Sequence, residues 1–203
     1  MRVGPKYKIC KRLGASVFEK CQTQKFQLAE ARSPRKISRG KRGGSDYGAQ
    51  LLEKQKARFT YGLTEGQFYR YASEAMEKHG KDSSQALISR LEARLDNLVF
   101  RAGFVKTRRA ARQLVGHGHV MVNGRRLNIP SYKAAVGDVI SIRQESRTSP
   151  LFANRMDAAA ETKLPNWLSA QDQGFAVKVE SEPALSETEL PFNAGVVIQF
   201  YSR

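Results

Sequence analysis

Asn123-Gly124 is the residue pair that most narrows what this chain can fold into. Both central positions of a type I′ turn need positive φ, and Asn-Gly adopts it at least cost. The pair sits between two brief runs, His119-Val120-Met121-Val122 and Arg125-Arg126-Leu127-Asn128-Ile129, which read as strand, turn, strand. Pro130 interrupts the second run, and Val136 to Ile142 supplies a further turn and an alternating strand. Immediately upstream, Thr107 is a good N-cap for a short helix. Ala110, Ala111, Leu114 and Val115 fall on one stripe of that helix and should face a core. Gly116 is placed to end it in the left-handed conformation.

The other side of this helix carries Arg108, Arg109 and Arg112. Two of them stand at the positive end of the helix dipole, which disfavours cations by roughly 0.3–1 kcal/mol each. Arg108 and Arg112 are also a like-charge i,i+4 pair. Three arginines set against local electrostatics call for an external anion, and a helix N-terminus ringed by guanidinium groups suits phosphate. The alternative is a solvated face. His117 and His119 have no nearby acid or thiol, so they read as polar turn residues rather than metal ligands, with a neutral imidazole able to hydrogen-bond RNA.

The whole chain favours a polyanionic partner: 35 Lys and Arg against 19 Asp and Glu give +16, with a pI near 10.1. Residues 1–45 hold 13 basic and 2 acidic side chains, a net of +11, whereas residues 149–203 hold 4 and 7, a net of −3. No apolar run approaches the roughly 18 residues that span a bilayer, and no secretory signal is visible. Cys10 and Cys21 are too widely spaced for a zinc knuckle and lack two further ligands, so both read as reduced thiols. Residues 1–45 show little apolar periodicity, and RSPRKISRGKRGGS (32–45) cannot bury enough surface to fold alone. Residues 32–45 read as a basic arm that orders on RNA in preference to a flexible tail.

Ser45 to Gly48 opens a helix running to about Tyr61, with Gly62 as its stop. Leu51 and Leu52 form its apolar side, and Lys54, Lys56 and Arg58 its polar face. Thr64-Glu65-Gly66-Gln67 is a capping-box pattern for a helix carrying Phe68, Tyr71, Ala72, Ala75 and Met76, ended by Gly80. Ser83 or Ser84 begins a long helix with Leu87, Leu91, Leu95 and Leu98 at helical spacing, closed by Gly103. Ser149-Pro150 sets up a helix from about Leu151 to Thr162. Pro165 to Trp167 leads into a strand, Phe175 to Val179 alternates as another, and Val196 to Arg203 reads as a last strand.

Four short strings within residues 94–142 closely resemble the RNA-binding module of the family of small-subunit ribosomal protein number four: Arg94-Leu95-Asp96-Asn97, Arg112-Gln113-Leu114-Val115, Val122-Asn123-Gly124-Arg125 and Ile129-Pro130-Ser131-Tyr132. That module also occurs in rRNA-modifying enzymes and a tRNA synthetase. SDYGAQLLEKQKARFTYGLTEGQF (45–68) lies outside the module, resembles the ribosomal family alone, and decides between them. Gly4 to Lys8 starts the resemblance almost at Met1, so no transit peptide is expected. Val196 to Arg203 matches the family's usual terminus, and Glu189 to Gly195 departs from its pattern. The four-cysteine zinc site of some members is missing, so no metal and no cofactor is carried over.

The resemblance implies an α+β protein: an extended basic N-terminal arm (1–45), a helical rRNA-binding domain (46–93) joined by the segment 181–203, and a helix-and-antiparallel-sheet RNA-binding module (94–180). It implies a non-enzymatic constituent of the small ribosomal subunit. Such a protein is a primary binder of small-subunit rRNA that nucleates assembly, sits near the path by which mRNA enters, and influences decoding accuracy. Its partners would be rRNA, neighbouring small-subunit proteins and mRNA, with no membrane and no homo-oligomer. Its place would be a cytoplasmic ribosome, with an organellar one as the alternative. The candidate rRNA-binding residues are Arg35, Lys36, Arg39, Lys41 and Arg42 of the arm; Tyr47, Lys54, Lys56 and Arg58 of the first helix; and Arg108, Arg109, Arg112, Gln113, His117, Asn123, Arg125 and Arg126 of the module. A modifying enzyme would need a placed acid, for which Asp46, Asp82 and Asp96 are the candidates, and too little chain remains for a catalytic domain. A non-ribosomal RNA-binding factor would explain the module but not residues 45–68.

Overall fold

The computed structural model describes residues 3–32, 45–77, 82–152, 164–185 and 189–202. The cations Arg35 to Arg42, Gly80 as a helix stop and nearly all of the helix anticipated from Leu151 to Thr162 lie outside these residues. The chain divides into two compact units: Met1–Leu87 with Leu185–Arg203, and Ile88–Ala184.

In the first unit, residues 3–32 are not the extended arm that their charge suggested. They form α1 (Lys6–Leu13), a 3₁₀ turn (Glu19–Gln22) and α2 (Gln24–Arg32). Cys10, Phe18, Cys21 and Phe26 are buried together, with Ile9, Val17 and Phe59 packed around them, and Tyr7 stacks on Phe26 at 5.3 Å. The apolar residues are split over two short helices and a turn, so no single period displays them, yet together they close a small core. α3 (Asp46–Tyr61) starts at Ser45, whose Oγ accepts from the Gly48 amide, and stops at Gly62 with φ 62°. α4 (Glu65–Met76) has the reciprocal Thr64/Gln67 capping box and buries Phe68, Tyr71, Ala72 and Ala75.

The last element of this unit is a helix, Ala194–Tyr201, where its β-branched residues suggested a strand. Asn193 caps it, its Oδ1 accepting from the Val196 amide at 3.0 Å. Ala194 and Val197, three apart, are fully buried as the helix packs on α3 and α4. Burial and a good cap outweigh a propensity difference of a few tenths of a kcal/mol per residue.

The second unit begins within α5 (Ser83–Glu92), a helix capped by Asp82, whose Oδ1 accepts from the Ser84 amide. The long helix expected from the leucine spacing breaks here. Arg94 is extended (φ −70°, ψ 138°) and bridges Lys133 in antiparallel fashion, and Leu95 N–H donates to the Tyr132 carbonyl. The chain then turns into α6 (Leu95–Arg101), which Gly103 closes at φ 69°. Leu95 and Leu98 keep helical spacing with each other but belong to a new axis.

α7 (Arg108–Gly116) is capped by Thr107 as anticipated and buries Ala111, Leu114 and Val115. It runs through Gly116, and Gly118, with φ 74°, makes the left-handed exit. The hairpin follows: β1 (Val120–Val122), Asn123 and Gly124 at φ 49° and 76°, and β2 (Arg125–Arg126), which is shorter than the run to Ile129 suggested. β3 (Val139–Ile142) pairs with β1 on its other side, and a short helix α8 (Gln144–Arg147) follows. β4 (Leu168–Gln171) and β5 (Ala176–Val179) complete an antiparallel sheet of order β2-β1-β3-β5-β4. The buried sides of α6, α7 and the sheet share one core that includes Leu98, Leu114, Val120, Ile140, Phe152 and Trp167. The architecture is α+β.

Candidate nucleic-acid interface

The outer side of α7 carries an exposed row: Arg109, Gln113 and His117, spaced four apart and therefore on one stripe. The hairpin meets the end of that row. Arg126 lies along Gly118, and its Nη2 donates to the His117 carbonyl at 3.3 Å. Arg125 and Arg126 are both exposed. The Arg109 side chain makes no hydrogen bond or ion pair among the described residues. The Asn123 side chain serves the fold. Its Nδ2 donates to Asp138 Oδ1 and its Oδ1 accepts from the Val139 amide, both at 2.8 Å, tying the turn to the start of β3.

Arg108 and Arg112 do not match the expectation of three arginines awaiting an external anion. Arg112 places Nε and Nη2 at 2.8 and 2.6 Å from Asp96 Oδ2. Arg108 donates from Nε to Asn97 Oδ1 at 2.7 Å, approaches Glu92 at 3.8 Å and covers the Phe100 ring. Both anions come from the chain, so local electrostatics alone no longer demand an outside partner for these two. Glu92 and Asp96 are 0% and 3% exposed. Buried carboxylates persist only when paired and hydrogen-bonded. The sequence shows Asp96 among arginines but not which of them turns toward it.

In the first unit, Tyr47 is exposed, its ring 5.5 Å from Phe200. Lys54 is not the polar-face base its position suggests; it is 6% exposed, 2.6 Å from Glu65 Oε1 and 4.7 Å above the Phe200 ring. Lys56 pairs with Glu53, and Arg58 approaches Glu65 at 3.6 Å and covers Phe59. Glu65 also accepts from the Tyr201 hydroxyl. Partial burial pushes the Glu65 carboxyl up, but the bonds from Lys54 and Tyr201 outweigh it and hold the group below its ordinary range. Burial, with Glu65 beside it, pushes the Tyr201 phenol up. These contacts draw Lys54 into the unit's packing and leave Lys56 and Arg58 partly exposed.

In the second unit, two exposed cations among the described residues lie beyond what the sequence pattern singles out. Lys106 directly precedes the Thr107 cap, and Lys133 is the residue whose backbone bridges Arg94. Neither lies on a periodic element, so nothing in the sequence separates them from other surface lysines. The candidate acids are otherwise placed: Asp82 caps α5, Asp96 is buried among guanidinium groups, and Asp46 sits in the first turn of α3.

A basic helix set against a hairpin, on an antiparallel sheet, defines an RNA-binding module of the S4 type. Residues 93–140 match the "S4 domain" family model, and residues 2–92 match that of the "Ribosomal protein S4/S9 N-terminal domain". The chain is 44% identical over 202 residues to small ribosomal subunit protein uS4 of Persephonella marina, covering 98% of each chain. It is 43% identical to that of Roseiflexus castenholzii, over 99% of this chain and 98% of the relative, and 40% identical to that of Acetivibrio thermocellus, over 98% of each. The chain belongs to the uS4 family of small ribosomal subunit proteins, structural and non-enzymatic. No helix among the described residues is long and apolar enough to cross a membrane.

Proposed function

We propose that the chain is a primary binder of small-subunit rRNA, able to dock on naked rRNA and nucleate assembly around it. The row Arg109, Gln113, His117 leading into Arg125 and Arg126 carries this reading. It offers donors at the spacing of one helix face, beside a cationic strand, on a helix packed against a sheet. Such a surface fits phosphates and helical shape more than base sequence. Arg108 and Arg112 contribute through the part of each side chain left at the surface; Lys106 and Lys133 are added to the set. Tyr47, Lys56, Arg58 and the cations Arg35, Lys36, Arg39, Lys41 and Arg42 extend the contact from the first unit. By resemblance, Arg39, Lys41 and Arg42 lie near the path of incoming mRNA, which would link the protein to decoding accuracy.

Filter binding of the full chain to naked small-subunit rRNA, across a salt series, tests this. The slope of log K against log salt should be steep, and Arg109→Gln and Arg125→Gln should each flatten it by roughly 0.7–0.9 for every phosphate no longer neutralised. A slope near zero would end the reading. For the accuracy claim, subunits reconstituted with Arg39, Lys41 and Arg42 changed to Gln should misread at an altered rate; an unchanged rate removes that part.

A further inference from the structure

The buried polar cluster beneath α7 brings Arg94, Arg101, Arg108 and Arg112 to the carboxylates of Glu92 and Asp96. Arg101 meets both oxygens of Glu92, at 2.8 and 3.0 Å, and Arg94 meets both oxygens of Asp96, at 3.0 and 2.8 Å. Each carboxylate already has one guanidinium to balance it. Arg108 and Arg112 arrive from α7 as a second cation on each acid, Arg108 mainly through Asn97. That amide donates to Glu92 Oε2 at 2.6 Å while accepting from Arg108. The α7 arginines thus each share an acid with another guanidinium. They also stay partly open to solvent, with side chains 21% and 32% exposed, while the two acids are sealed. This arrangement fixes two long side chains that would otherwise sample many rotamers, and it ties α7 to α6 by bonds that depend on its rotation about its own axis.

We propose that Asp96 and Glu92 are positioning residues for RNA binding. They pin Arg112 and Arg108, and through them set the rotation of α7. The exposed row on that helix then meets the phosphate spacing of one folded RNA rather than that of any polyanion. A pinned guanidinium gives up little rotamer freedom when a phosphate arrives, so the gain is larger for an RNA whose phosphates already fit. A loose one would serve every RNA about equally. This inference rests on α7 being the RNA-facing helix.

The test is Asp96→Asn in the full chain, with affinity measured for naked small-subunit rRNA and for bulk transfer RNA at one salt concentration. The substitution weakens the hold of Asp96 on Arg112, and on Arg94 beside it, and adds one positive charge. Affinity for transfer RNA should hold or rise, affinity for the small-subunit rRNA should fall, and their ratio should drop about tenfold, the worth of one well-aligned charge-assisted contact. A purely structural role would lower both affinities by the same factor, and added charge alone would raise both. Either result leaves the ratio unchanged and overturns the proposal. Should Asp96→Asn lose the wild-type thermal transition, Arg112→Lys takes its place. It keeps the charge but removes the Nε donor to Asp96, and the same fall in ratio is expected; an unchanged ratio again overturns the proposal. A wild-type chain that does not prefer small-subunit rRNA over transfer RNA would instead refute the functional reading itself.

Discussion

Replacing Gly118 or Gly124 with alanine separates backbone strain from the placement of one arginine. Both glycines have φ near +75°, so each alanine enters the left-handed region at a cost of roughly 1–2 kcal/mol. For a chain of this length that corresponds to a lower Tm by about 2–4 °C per kcal/mol. The surroundings differ. A Cβ at Gly124 meets nothing within 4 Å, whereas one at Gly118 would stand 2.7 Å from Arg126 Cζ and closer still to its Nε. The far end of a flexible side chain can move away cheaply, so Gly118→Ala should destabilise about as much as Gly124→Ala. It also drives the Arg126 guanidinium off the end of α7 and away from the His117 carbonyl. Thermal unfolding should therefore give similar shifts for the two variants. Filter binding to small-subunit rRNA should fall about tenfold for Gly118→Ala only, comparable to Arg126→Ala. Equal rRNA affinities for the two alanine variants would show that Arg126 in its observed place is not part of the interface.

Asn193→Ala removes the cap of the 194–201 helix and should lower stability by about 1 kcal/mol in denaturant unfolding; no change would mean the helix is held by packing alone. The lowered pKa of Glu65 gives an acid limb. Its folded value lies below the ordinary one near 4.5, so its contribution to stability is fully present above that value and is lost as pH falls through the folded pKa. Glu65→Gln should remove this step from a stability–pH curve, and an unaltered curve would refute the pairing with Lys54 and Tyr201. Burial and the hydrogen bond with Cys10 push the Cys21 thiol up to about 12. It should resist a thiol-specific reagent at pH 8 in the folded chain and react once unfolded; rapid labelling of the native protein would contradict its burial.

The hairpin, the capped starts of α3, α4 and α7, and the buried stripe of α7 were legible because each rests on local chemistry: positive φ at Asn-Gly, a side-chain oxygen at a helix start, a 3.6-residue period. What escaped depends on partners distant in sequence. The leucines from Leu87 to Leu98 keep helical spacing straight through Arg94, and only the pairing with Lys133 shows why the axis breaks there. Val196, Val197 and Ile198 favour a strand on their own, and Asn193 with the buried surface of α3 decides otherwise. On α7 the helical period placed Arg109 on the side away from the core, where it is exposed. That Arg108 and Arg112 turn toward Asn97, Glu92 and Asp96, and that Lys54 is sealed against Glu65, could not be read from spacing. A polar side of a helix looks the same whether it faces water or a buried carboxylate.

The first unit is discontinuous: Leu185–Arg203 completes a body begun at the front of the chain. Synthesis runs from the front, so the second unit is whole before the strip that seals α3 and α4 has been made. Until then Tyr61 and Phe68 lack the cover of Phe192 and Tyr201, and a nascent chain stalled short of Leu185 would carry a finished RNA module on an open helical half. Maturation of this protein should thus end with a late clasp, and the helical half, not the sheet, should be the one that handling by chaperones or early engagement of RNA protects.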